Sequence, residues 1–64
     1  MNSELYSYDK YKGYHLYVEC MEYEDHETGY AGVAQFNGTT IFESLSYVSG
    51  DIAEQKLKEQ IDES

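Results

Sequence analysis

A chain of 64 residues has room for one domain, and one this short buries only about 60% of the surface that its unfolded form exposes. Thirteen acidic residues stand against four lysines, with no arginine, for a net charge of −9. That balance argues against direct nucleic-acid binding, where phosphate neutralisation supplies most of the affinity and arginine is the usual bidentate contact. The single cysteine, Cys20, excludes an internal disulfide and fits a cytoplasmic protein.

The opening, Met1 to Asp9, is polar and tyrosine-bearing, and reads as a lead-in that frays or tucks against a sheet. It has no basic region followed by an apolar run, so no signal peptide is expected. No run is long and apolar enough for a membrane span. Lys10-Tyr11-Lys12-Gly13 is the one positive spot before the C-terminal segment.

From Tyr14 the pattern sharpens. Tyr14, Leu16, Val18 and Cys20 are apolar and spaced by two, which places them on one face of a strand running about 14–23. The other face carries His15, Tyr17, Glu19, Met21 and Tyr23, a mixture suited to an exposed contact surface. Glu24 to Gly29 has turn chemistry, with Gly29 suited to positive φ at the turn exit. Tyr30 to Phe36 returns as a second strand. Asn37-Gly38 suits a type I′ turn, and Thr39 to Leu45, rich in β-branched residues, makes a third strand.

Beyond Leu45 the period changes. Ser46 to Gly50 is a connection, and Ser49 or Asp51 can cap a helix, the latter with Glu54 in a capping-box-like arrangement. Ile52, Ala53, Leu57 and Ile61 fall on one side at helical spacing; Glu54, Lys58, Glu59, Asp62 and Glu63 fall on the other. Glu54 and Lys58 stand in the favourable i, i+4 order. The expected fold is α+β: a three-stranded antiparallel meander with one C-terminal helix packed on one face, β-β-β-α.

Glu19, Glu22, Glu24, Asp25 and Glu27 crowd five acids into nine residues with His26 among them, but the spacing matches no EF-hand loop and no paired-histidine ligand set. His15 and Cys20 are five apart on one strand, so they point to opposite faces. No carboxylate sits at an apolar position that would raise its pKa. No enzyme activity, metal or cofactor is expected. The acids have a second reading, because carboxylates on a small rigid surface can imitate the phosphates of a nucleic acid and occupy a basic groove. The plain alternative is that negative charge keeps a small domain soluble and monomeric.

Tyr14-His15-Leu16-Tyr17-Val18, Gly29-Tyr30-Ala31-Gly32-Val33-Ala34, and Ser49-Gly50-Asp51-Ile52-Ala53-Glu54-Gln55 leading into a helix together resemble the HicB-type antitoxin domain. That resemblance implies a sheet with a helix packed on it, and a protein-binding role in which an acidic antitoxin covers a basic ribonuclease toxin.

The sequence therefore predicts a cytoplasmic, non-enzymatic, acidic module that binds or inhibits a protein with a basic surface. Its expected contact face is Tyr17, Glu19, Tyr23, Glu24, Asp25 and Glu27. Two alternatives are an inhibitor of a defence nuclease or other nucleic-acid-binding protein by DNA mimicry, and a structural homodimer joined through a sheet edge.

Overall fold

A computed structural model gives the architecture, and it describes residues 3–22 and 28–64. Four strands, β1 (Ser3–Tyr11), β2 (Tyr14–Glu22), β3 (Thr28–Phe36) and β4 (Thr39–Ser46), precede one helix, α1 (Gly50–Glu63). The strands pair antiparallel in chain order. The class is α+β with a C-terminal helix, as expected, but the meander has four strands and not three.

The additional strand is β1, most of which read as a lead-in. Two features hid it. Its helix-side positions include Glu4, Ser7, Asp9 and Tyr11, facing Cys20, Val18, Leu16 and Tyr14 of β2, and a register shift interrupts the alternation at Tyr6, so it lacks the apolar period that marks a strand. Its turn is Lys12-Gly13, with φ of 50° and 86°, the backbone of the Asn37-Gly38 turn (52° and 79°) written in less diagnostic residues. A lysine in the left-handed region costs about 1–2 kcal/mol, and the Lys12 ammonium regains part of this on Asp62 of the helix. Gly29, expected at positive φ, is instead a buried in-strand residue paired with Met21.

The core lies between the sheet and α1. Leu16, Val18 and Ala34 from the sheet and Ala53, Leu57 and Ile61 from the helix are its buried hydrophobic residues, with Tyr11, Tyr14 and Phe42 packed around them. The helix approaches closely because β3 and β4 present small residues beneath it. A Cβ on Gly32 would stand 2.9 Å from Leu57 Cδ1 and 2.6 Å from Ser44 Oγ. Ser44 in turn donates to the carbonyl of Ala53 at 2.8 Å. Ser49 is the N-cap, its Oγ accepting from the Ile52 N–H at 3.2 Å, and Asp51 falls within the first turn.

No residue of β1 is buried, and polar contacts join it to the helix instead. The Tyr11 hydroxyl lies 2.9 Å from both Asp62 carboxylate oxygens. The Lys58 ammonium bridges Asp9 at 3.3 Å and Glu54 at 3.2 Å. Asp62 is held below the usual carboxylate range by Lys12 and then Tyr11. Asp9 is lowered by the Lys10 backbone N–H and then by Lys58. The β1 register shifts between Leu5 and Ser7, a bulge that turns Tyr6 to the helix side. Its ring meets Tyr30 edge-on at 5.2 Å and lies directly over Gly50.

Candidate functional site

The helix covers one face of the sheet and leaves the other bare. Strand alternation sets which side chains stand on the bare face. Since Leu16 and Val18 point to the helix, His15, Tyr17, Glu19 and Met21 point away, and the register adds their partners. Leu5, Tyr8 and Lys10 of β1 lie opposite Glu19, Tyr17 and His15. Val33 and Gln35 of β3 lie opposite Tyr17 and His15. Glu43 and Leu45 of β4 lie opposite Val33 and Ala31, and Thr40 lies opposite Gln35, with Ile41 exposed at the register shift between Phe42 and Thr40.

The face has internal order. The Tyr8 hydroxyl and His15 Nδ1 are 2.6 Å apart, and the two rings are stacked at 5.9 Å. Tyr8 also contacts Tyr17, ring centres 5.1 Å apart. Gln35 donates to Thr40 Oγ1 at 3.3 Å. Tyr17 and Glu19 line a shallow groove with Leu5, Val33 and Gln35.

Of the expected contact residues, Tyr17 and Glu19 stand together on this face. Tyr23, Glu24, Asp25 and Glu27, with His26, lie outside the described residues. Sequence reasoning missed the apolar residues around Tyr17: Leu5, Tyr8, Val33 and Leu45. The signal for Leu45 was present, since it alternates with Ser44 and Ser46. Leu5 and Tyr8 needed β1 to be recognised first.

A comparison with known families, curated proteins and solved structures found no match for this chain. The residues themselves therefore carry the functional argument.

His15 and Cys20 do lie on opposite faces, as the strand period requires; Cys20 is a half-buried free thiol opposite Tyr30. Among the described residues no three His, Cys, Asp or Glu side chains converge as a metal site. No helix among them is long and apolar enough to cross a membrane. Among the described residues, Tyr6 is the phenol with a displaced pKa, pushed up first by the Asp51 carboxylate beside it and then by burial.

The remaining charge is distributed unevenly. Lys12 is held by Asp62, Lys58 by Asp9 and Glu54, and Lys56 by the Leu45 carbonyl at 2.9 Å. Meanwhile Glu4, Glu22, Asp51, Glu59 and Glu63 are exposed. Three of the four lysines are thus engaged within the fold, and carboxylates face solvent at the strand ends and along the outer helix.

Proposed function

We propose that this chain is a non-enzymatic, cytoplasmic protein-binding module whose acidic exterior takes up a protein with a basic surface. The observation that supports it is the internal use of Lys12, Lys56 and Lys58, which among the described residues leaves exposed carboxylates outnumbering Lys10 in a chain of net charge −9. Such a surface steers a cationic partner and lends specificity more than raw affinity.

The test is capture from host lysate at low salt, followed by binding measurements with the recovered protein. One variant carries Glu24, Asp25 and Glu27 all changed to Gln; a second carries Glu59→Gln with Glu63→Gln. Affinity is expected to fall steeply as salt rises, because Debye screening shortens from about 30 Å at 0.01 M to about 10 Å at 0.1 M. At least one variant is expected to weaken binding. A partner whose affinity is flat in salt and indifferent to both variants refutes the reading.

A second reading follows from the same carboxylates. If they stand in for phosphates, the partner is a nuclease or another nucleic-acid-binding protein, and DNA or RNA competes with this chain for it. The HicB-type resemblance is a particular case, in which that partner is a basic ribonuclease toxin.

A further inference from the structure

We propose that the helix-free face of the sheet is a homodimer interface, on which a second copy of this chain packs sheet against sheet. The first ground is exposure of the wrong kind for a solvated surface. Leu5, Tyr8 and Leu45 are 61, 49 and 41% exposed and flank Tyr17 and Val33, which pair across the two central strands. Among the described residues, six hydrophobic side chains are buried on the helix side. One layer of helix therefore covers one face of the sheet and leaves an apolar cluster on the other, and a second sheet at about 10 Å is the usual cover for such a face.

The second ground is charge. Two copies at −9 each repel unless they meet where charge is low. Among the described residues the bare face sets Glu19 and Glu43 against Lys10, close to balance, whereas the outer helix and strand ends are acidic. A basic partner would be drawn to those acids and not to this face, so the occupant that fits is another copy, its helix and carboxylates turned outward.

The third ground is size. Nine-residue strands rising about 3.3 Å per residue, four across at about 4.8 Å, give a face of roughly 30 by 20 Å, in keeping with molecular extents of 34 and 20 Å. That approaches the roughly 800 Å² per partner of a standard stable interface.

The fourth ground is that both sheet edges are protected. On β4 the outward carbonyls of Glu43 and Leu45 accept from Gln60 Nε2 at 3.0 Å and Lys56 Nζ at 2.9 Å. On β1 the bulge at Leu5/Ser7 breaks the edge, and the Lys10 N–H is taken by Asp9 Oδ1 at 2.8 Å. Bulges, lysines and covering side chains are the devices that block strand addition, so self-association goes through the face rather than the edge.

The proposal does not rest on the basic partner of the preceding section, and the two respond oppositely to salt. Sedimentation equilibrium of the full chain is expected to give twice the 7.4 kDa of one chain, with dimerisation strengthened as salt rises and repulsion is screened. Leu5→Lys, at an exposed position of the face that leaves the fold intact by far-UV circular dichroism, is expected to weaken the dimer at least tenfold. Val48→Lys, exposed but beyond β4, leaves it unchanged. Val33→Cys in a Cys20→Ser background places one thiol at the centre of the face, and a short bis-maleimide is expected to link two chains through it. A monomer at millimolar concentration overturns the proposal. So does a dimer indifferent to Leu5→Lys and not linked through Val33→Cys, which would be joined at an edge.

Discussion

Replacing Gly32 by alanine tests whether the sheet and helix meet as closely as described. The new methyl would stand 2.6 Å from Ser44 Oγ and 2.9 Å from Leu57 Cδ1. Ser44 is committed to the Ala53 carbonyl and Leu57 is fully buried, so neither yields freely. Overpacking of this kind costs about 1–3 kcal/mol, and loss of the Ser44 hydrogen bond costs about 0.5–1.5 kcal/mol more. Removing a glycine from a strand returns about 0.5–1 kcal/mol of unfolded-state entropy. The net is a destabilisation of about 1–3 kcal/mol, against a total of roughly 3–10 kcal/mol for a domain this size. At about 4–8 °C per kcal/mol, thermal unfolding followed by far-UV circular dichroism is expected to shift down by roughly 5–20 °C. In a Ser44→Ala background, where one of the two obstructing atoms is gone, the same substitution is expected to cost about 1 kcal/mol less, a coupling that a double-mutant cycle reads directly. An unchanged or raised midpoint for Gly32→Ala, or strict additivity with Ser44→Ala, would refute the close approach.

Two further predictions concern the attachment of β1. Asp9 and Asp62 have folded pKa values below the ordinary carboxylate range, so each adds stability that is present above the unfolded value near 4 and lost as pH falls through the folded one. Acid unfolding of the wild type is therefore expected to steepen below about pH 4, and Asp62→Asn to flatten that limb; because the same carboxylate raises Lys12, whose contribution is lost as pH rises through its folded value, the variant is expected to flatten the strongly alkaline limb as well. Gly50→Ala places a methyl on the Tyr6 ring and is expected to lower hydrogen-exchange protection across the Ser3–Ser7 part of β1 ahead of the rest of the sheet; undiminished protection there would show that Tyr6 does not hold that end.

Much of the fold was written locally. Tyr14, Leu16, Val18 and Cys20 at spacing two define the helix-facing side of β2, Asn37-Gly38 defines the β3–β4 turn by backbone preference alone, and the Ala53, Leu57, Ile61 stripe behind the Ser49 cap defines α1. These signals are short-range, because side-chain period, turn φ and capping are settled within a few residues. The acidic character and the exposure of Tyr17 and Glu19 were likewise legible from composition and alternation. β1 was not, because it joins through polar contacts from Asp9, Tyr11 and Lys12 to Glu54, Lys58 and Asp62, partners some 50 residues away that no local pattern reveals. The gathering of Leu5 and Tyr8 with Leu45 and Tyr17 on one face also depended on the register of four strands and on which side the helix chose. A strand shows that it has two faces; only tertiary packing decides which is buried, and here one apolar-flecked face was left for solvent or for another molecule.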